Sequence, residues 1–318
     1  MKLERFYKKA VEIGIANDLR GPEEIKRILD DEAEKAKDLK DEDRKFQDKD
    51  RLFNPFADTR VLCGDLGTEV RKVMVGIDID TAELLLARAL NEAPGPKIDL
   101  IVGHHPMGSA QVQLFDVMKL QAKLLALYGV AISVAEQLME RRIGEIERRL
   151  LPINATREVD AARLLGLPLM CIHTAADNCV TSHLAKLFER EKPARLKDIL
   201  KLLRAIPEYE KAMVLQMPPK IVAGTDNGSC GRIFVDMTGG TEGAKDIYDK
   251  LAGGGVSTLV GMHMSEEHLA NAKKANLNVV IAGHIASDVL GLNLLFDELE
   301  KEDRFEFVGL SGFERIRR

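Results

Sequence analysis

Short apolar runs alternate with longer amphipathic segments from about residue 60 to the end of the chain. Two of these runs, Val73–Ile79 and Asn278–Ala282, are rich in β-branched residues. The intervening segments, such as Thr81–Ala93 and Ala286–Lys301, carry apolar residues at helical spacing. Buried strands that alternate with helices of this kind predict an α/β fold with largely parallel sheets. The same pattern predicts a strand at Val130–Val134.

The pattern also divides the chain. We expect a helical extension over residues 1–57, a first α/β domain over 58–195 and a second α/β region over 196–318, with a boundary near Lys192–Glu210. We expect the chain to return to the first domain near the C-terminus. The two regions have similar size and similar patterns, although no exact sequence repeat is visible.

Acidic and basic residues dominate the extension between Glu23 and Arg51 and nearly balance each other. Apolar residues recur there at helical spacing, and Pro22 is placed to start a helix. The favoured interpretation is a solvated amphipathic helix that docks through its narrow apolar stripe. The alternative is an arm that binds a partner or supports oligomerisation.

Composition narrows the class of protein. Apolar residues make up 45% of the 318 residues and charged residues 31%, which is typical of a globular chain rather than a disordered one. The net charge of −5 argues against a dominant nucleic-acid-binding surface. No apolar run is long enough to span a membrane, and the first residues lack a signal-peptide core. The four cysteines form no C-x-x-C pair. We therefore expect reduced, buried thiols and a cytoplasmic location.

Histidine and aspartate follow three of the predicted strands, where ligands bind in open α/β sheets. The three segments are Gly103-His104-His105-Pro106, His173-Thr174-Ala175-Ala176-Asp177 and Gly283-His284-Ile285-Ala286-Ser287-Asp288.

Local geometry suggests that these side chains share one site. Gly103 and Pro106 bracket the paired histidines, so the backbone can turn both imidazoles into one crevice. Asp288 lies four residues after His284 and therefore shares its helix face. His104, His105, Asp177, His284 and Asp288 supply five nitrogen and oxygen donors in total. Five donors are more than one tetrahedral zinc ion can bind, but they suit two metal ions that share a bridging carboxylate.

A purely structural role for these histidines is the alternative. A single buried histidine at a strand end is more often a hydrogen-bonded core residue than a metal ligand. Three such ends together favour metal binding. His173 is left open between a residue that orients a ligand and a structural histidine. His183 is assigned to structure, whereas His263 and His268 are assigned to structure or to the cleft mouth.

The glycine-rich segment Met237–Lys245 lies between a predicted strand and a predicted helix over Glu242–Leu251. Backbone amides in such a place can hold phosphate, but the segment fits neither the P-loop nor the dinucleotide pattern. A plain tight turn is the favoured interpretation.

The three histidine segments, in this order, resemble the Nif-three-like (NIF3-like) dinuclear-metal family, whose bacterial members are often described as type 2 GTP cyclohydrolase I. The resemblance runs from about residue 58 to the end of the chain. It implies that His104 and His105 are the paired ligands, that Asp177 closes the family's H-T-x-x-D motif and that His284 belongs to its late G-H motif. Asp288 stands where the family usually has a bridging glutamate, so its reach is one methylene shorter. The resemblance also implies two α/β domains with metals in the cleft between them, and a toroidal hexamer.

Three functions remain open at this stage. The leading hypothesis is a hydrolase with two divalent ions (zinc, manganese, iron, cobalt or nickel), acting on a small molecule that the resemblance suggests is a nucleotide. A calcineurin-like metallophosphoesterase is the rival enzyme, since Gly64-Asp65 echoes one of its motifs, but its early D-x-H and terminal G-H-x-H are missing. The non-catalytic alternative is a metal-bound hexameric scaffold or regulator.

Overall fold

The computed structural model describes all 318 residues. Nine strands form two sheets. The strands are β1 (Arg60–Cys63), β2 (Lys72–Gly76), β3 (Leu100–Gly103), β4 (Leu169–Cys171), β5 (Lys220–Ala223), β6 (Arg232–Asp236), β7 (Val256–Gly261), β8 (Asn278–Ile281) and β9 (Glu306–Gly309).

Fourteen helices surround the sheets. They are α1 (Leu3–Ala16), α2 (Pro22–Asp38), α3 (Thr81–Glu92), α4 (Gly108–Val112), α5 (Leu114–Val117), α6 (Lys119–Leu127), α7 (Ile132–Leu150), α8 (Arg157–Leu165), α9 (Thr174–Glu191), α10 (Leu196–Arg204), α11 (Pro207–Val214), α12 (Tyr248–Gly253), α13 (Glu266–Lys274) and α14 (His284–Leu299). None of them is both long and apolar enough to cross a membrane.

The two sheets repeat one topology. The first has the order β1-β4-β3-β2-β9 and the second the order β5-β8-β7-β6. In each sheet the edge strand β1 or β5 is antiparallel, and every other pairing is parallel. The predicted α/β class with two similar halves is confirmed, although each sheet carries one antiparallel edge strand.

Local sequence signals explain several element boundaries. Asp80 caps α3, because its carboxylate accepts a 2.7 Å hydrogen bond from the Ala82 amide and the Glu83 carboxylate accepts a hydrogen bond from the Asp80 amide. Pro22 is the first residue of α2, as its fixed φ favours. Gly166 ends α8 in the left-handed region at φ 67°, which a side chain would disfavour.

Two predicted elements are wrong. Val130–Val134 is not a strand, because helix α7 begins at Ile132 and buries Ala135 and Met139 against the second sheet's core. Packing of an amphipathic face has overridden the β-branched preference there. The helix predicted from Glu242 starts only at Tyr248, and the segment before it stays an open loop.

The chain crosses between the halves more than once. Met118, just before α6, Leu125 of α6 and Met139 of α7 join the core that lies under the second sheet. Strand β9 returns to the first sheet and pairs in parallel with β2. Helix α1 is also part of the first core, since Leu3, Phe6 and Ala10 are fully buried there. The proposed domain limits therefore remain a division of sequence rather than of packing.

Candidate metal centre

The packing of helices α9 and α14 brings the three histidine segments together. Gly291 of α14 lies so close to α9 that a Cβ there would stand 2.5 Å from the carbonyl oxygen of Ala176. Glycine is thus required at this crossing. The first turns of the two helices carry Asp177 and Asp288, and both carboxylates face the end of β3.

One group of donors forms around His104, which is almost completely buried. Its Nε2 atom lies 3.4 Å from Oδ1 of Asp177 and 3.5 Å from Oδ1 of Asp288. The His173 ring lies 4.9 Å from the His104 ring, centroid to centroid, and its Nε2 is 3.8 Å from Oδ2 of Asp177. His104, His173 and Asp177 thus form one group of atoms that could hold a metal ion.

A second group shares the other oxygen of Asp288. Oδ2 of Asp288 lies 3.5 Å from Nε2 of His105 and 3.6 Å from Nε2 of His284. The two imidazole nitrogens are 3.4 Å apart. All five predicted ligands are therefore brought together, and the carboxylate of Asp288, although shorter than glutamate, reaches both groups.

These separations suit metal coordination better than hydrogen bonding. Charge-assisted hydrogen bonds are about 2.7–2.9 Å long. By contrast, ligands held at about 2.1 Å from one tetrahedral ion stand about 3.4 Å from each other. Oδ1 of Asp177 and both oxygens of Asp288 are buried without a hydrogen-bond partner. Buried carboxylate oxygens are rarely left unpaired, so the donor set fits cations placed between these atoms.

The other ring nitrogen, Nδ1, of three of these histidines is held by a hydrogen-bond acceptor. Nδ1 of His104 donates to the Ile172 carbonyl oxygen at 2.9 Å. Nδ1 of His105 donates to Asp78 at 2.7 Å, and Nδ1 of His173 donates to Asp58 at 2.8 Å. Since a carbonyl or an ionised carboxylate only accepts, each Nδ1 carries the proton and each Nε2 presents a lone pair to the centre. This orientation is typical of metal-ligating histidines.

The electrostatics indicate a cluster that requires positive charge. Burial opposes a charge on His104, but Asp288 and Asp177 outweigh it and raise the pKa of His104 well above its usual value. Burial alone would raise the pKa of Asp288, yet His104, His105 and His284 lower it far below its usual value. In the protein without ions, a proton on Nε2 of His104 supplies charge that a divalent cation would otherwise supply, and that proton must leave before the nitrogen can bind a metal.

The second half closes the opposite side of a cavity of about 80 Å³. Its lining joins His173, Asp177, His284 and Asp288 to residues that follow β6 and β7. Asp236 ends β6, and His263 follows β7 with its ring 4.8 Å from that of His284. The glycine-rich segment lines the cavity as well, and Gln121 fixes it with hydrogen bonds of 2.7 Å to the carbonyls of Gly239 and Thr241.

Sequence reasoning missed the carboxylates that surround the ligands. Asp58 and Asp78 orient two histidines, and Asp236 faces the same cavity. Asp78 and Asp236 did carry a signal, because each lies at or just after a strand end. The other histidines lie apart from the donor groups: His268 accepts or donates a 2.8 Å hydrogen bond with Tyr248, and His183 is a partly buried residue of α9.

The sequence matches no protein-family model and no curated protein. Among solved structures, the fold is similar to that of a NIF3 superfamily protein from Sphaerobacter thermophilus. The TM-score is 0.68 at 28% identity, over 80% of this chain and 91% of that one. The chain is NIF3-like.

A second structure, that of reduced HcgD from Methanocaldococcus jannaschii, shares the fold. Its TM-score is 0.51 at 16% identity, and the match covers 86% of this chain and 97% of that one. The NIF3-like chain therefore spans nearly the full length of both structures. The resemblance drawn from its three histidine segments is confirmed at the level of family and fold.

Proposed function

We propose that this NIF3-like chain is a dinuclear metal-dependent hydrolase. The observation that carries the proposal is the position of Asp288, whose Oδ1 lies near Nε2 of His104 and whose Oδ2 lies near Nε2 of both His105 and His284. His104, His173 and Asp177 would hold one ion, His105 and His284 the other, and Asp288 would bridge them. His173 thereby becomes a ligand in this proposal rather than a neighbour of one.

Two divalent ions held by these residues would lower the pKa of bound water and would stabilise negative charge on a substrate oxygen. The chain's own residues supply the rest. Asp58, Asp78 and the Ile172 carbonyl hold three imidazoles in the tautomer that binds metal. The second half forms the facing wall of the cavity, so a substrate is enclosed between the donors and residues 236–243.

The finer parts of the proposal follow the family resemblance. We propose a small-molecule substrate of the nucleotide class, with ring opening of GTP as the first reaction to test. We also propose a cytoplasmic homo-oligomer, a hexamer, for which the exposed leucines Leu86, Leu90 and Leu164 on helices α3 and α8 offer an apolar contact surface. Light scattering behind size-exclusion chromatography measures the assembly directly.

The experiment that tests the function joins metal analysis to turnover. Elemental analysis should find about two transition-metal ions per chain after loading. A panel of nucleotides and phosphoesters with manganese, zinc or cobalt should then reveal hydrolysis that is lost in His104→Ala and Asp177→Ala. Activity that both variants retain would contradict the catalytic centre. Two bound ions without turnover on any substrate would favour the scaffold over the enzyme.

A further inference from the structure

The wall that faces the metal ligands has a carboxylate at its centre. The register of the strands shows its place: Gly76 pairs with Gly103 at the ends of β2 and β3, and Asp236 pairs with Gly261 at the ends of β6 and β7. Asp236 thus occupies, in the second half, the position that Gly76 occupies in the first. The first sheet has no side chain at this position, because a Cβ on Gly76 would stand 2.8 Å from Cδ1 of Ile79, whereas the second sheet places an acidic side chain beside the cavity.

Asp236 has no partner within the chain. Its carboxylate takes part in no hydrogen bond and no ion pair, although the side chain is partly buried. The neighbouring charge, on the carboxylate of Glu242, has the same sign as that of Asp236. Burial and this carboxylate together raise the pKa of Asp236 to about 6. Glu242 is itself engaged, because it accepts a 2.6 Å hydrogen bond from the Ser265 amide. A half-buried carboxylate in this situation destabilises the fold unless something binds it.

The rest of the wall also presents acceptors. The Thr238 hydroxyl donates at 2.7 Å to Oδ1 of Asn178. Its proton is thereby used, and its oxygen can only accept from a ligand. No lysine or arginine lines the cavity. The wall opposite the metal ligands therefore lacks a cationic side chain and is rich in groups that accept hydrogen bonds.

We infer that Asp236 is a substrate-binding residue that accepts hydrogen bonds from an ammonium or N–H group, carried by the ligand on its side away from the metals. Thr238 offers a second acceptor beside it. This inference rests on the proposed function, because the metal ions must hold the other end of the ligand. It assigns the end of β6 to selecting nitrogen-bearing substrates and leaves metal binding to the ligands already described.

Hydroxamates provide a suitable probe, because they bind metal ions through their two oxygens whatever their tail. The experiment compares glycine, β-alanine and γ-aminobutyrate hydroxamates with alkyl hydroxamates of matched length. Binding to the metal-loaded full-length protein is measured by calorimetry at about pH 7.5, where a carboxyl with a pKa near 6 is ionised. The same series is run on Asp236→Asn, on Asp236→Ala and on Asp249→Asn, an exposed position of α12.

At one tail length, the amino compound should bind the wild-type protein about 10-fold or more tightly than its alkyl partner, as a hydrogen bond to a charged group allows. Both Asp236 variants should lose that preference and Asp249→Asn should keep it, with the metal content unchanged in all three. Equal binding of amino and alkyl tails at every length, or a preference that survives in both Asp236 variants, would overturn the inference while leaving the hydrolase intact. Failure of every hydroxamate to bind would overturn both.

Discussion

The two halves share a strand order but carry different chemistry at their strand ends. Strand β3 leads into His104 and His105, whereas β7 leads from Gly261 into Met262 and His263. Methionine thus stands where the first half has its most buried imidazole. The helices that follow β4 and β8 each begin with a histidine and an aspartate four residues apart. One topology can therefore place candidate metal ligands at the ends of β3, β4 and β8 while the ends of β6 and β7 line the facing wall of the cavity.

The first test removes Asp288, the residue that both groups of candidate metal ligands share. Asp288→Ala should reduce the metal content from about two ions per chain to nearly none, because each ion loses a carboxylate oxygen. Asp288→Glu should retain both ions, since the side chain is the one usual in the family. Elemental analysis measures both variants. Full metal content in Asp288→Ala would exclude the bridging role.

The second test uses equivalent positions of the two halves. His105→Ala should weaken metal binding by more than about 100-fold, since a ligand is lost. His263→Ala, its counterpart after β7, should leave the metal affinity unchanged because that ring contacts the His284 ring and lies near Glu242 but reaches neither Asp177 nor Asp288. Competition with a coloured chelator gives both affinities. Equal losses in the two variants would mean that the halves contribute alike to the centre.

The third test concerns the orientation of a single ligand. Asp58→Ala should weaken metal binding about 10- to 100-fold, because His173 loses the acceptor that holds its Nδ1 proton. Asp58→Asn keeps an acceptor oxygen and should lie between wild type and alanine. The d–d spectrum of the cobalt-loaded protein should shift as the ligand field changes. An unaltered spectrum in both variants would remove His173 from the ligand set.

The smallest expected effect is on stability and belongs to the second half. The pKa of Asp236 is about 6 in the folded chain, above its usual value of 3.8, so folding loses free energy as the pH rises from about 4 to about 6. Asp236→Asn should therefore stabilise the metal-free protein by about 1–3 kcal/mol at pH 7.5 and by nearly nothing at pH 4. Denaturant unfolding at both pH values checks this. A variant that is less stable at pH 7.5 would show that the carboxylate is favourable where it lies.

Part of this organisation was predictable from sequence. The histidine segments were visible because a strand end fixes where a side chain emerges, and His284 and Asp288 lie one helical turn apart. The partners of the ligands were not visible. Asp58 meets His173 across more than a hundred residues of chain, and no local pattern encodes such a contact.

The errors also have physical causes. Val130–Val134 has the composition of a strand, yet burial of the α7 face decides its conformation. The loop before α12 was expected to start a helix at Glu242, but the side chain of Glu242 binds the Ser265 amide instead. The sequence predicts two similar halves but not their shared strand order, because that order is set by pairing between strands that lie far apart in the chain.

The return of β9 to the first sheet has a mechanical consequence. Lys72 of β2 and Glu306 of β9 are register partners although they lie far apart in the sequence. Conversely, the helices α6 and α7, which lie in the first half of the sequence, pack on the second sheet. Each half thus contains an element that the other half's sequence must deliver. Cutting the chain near residue 195 would separate β9 from β2 and the helices α6 and α7 from the second sheet, so neither piece should fold alone. Because each half packs against chain from the other, the two walls of the cleft have little freedom to hinge. The fold therefore sets the width of the cleft.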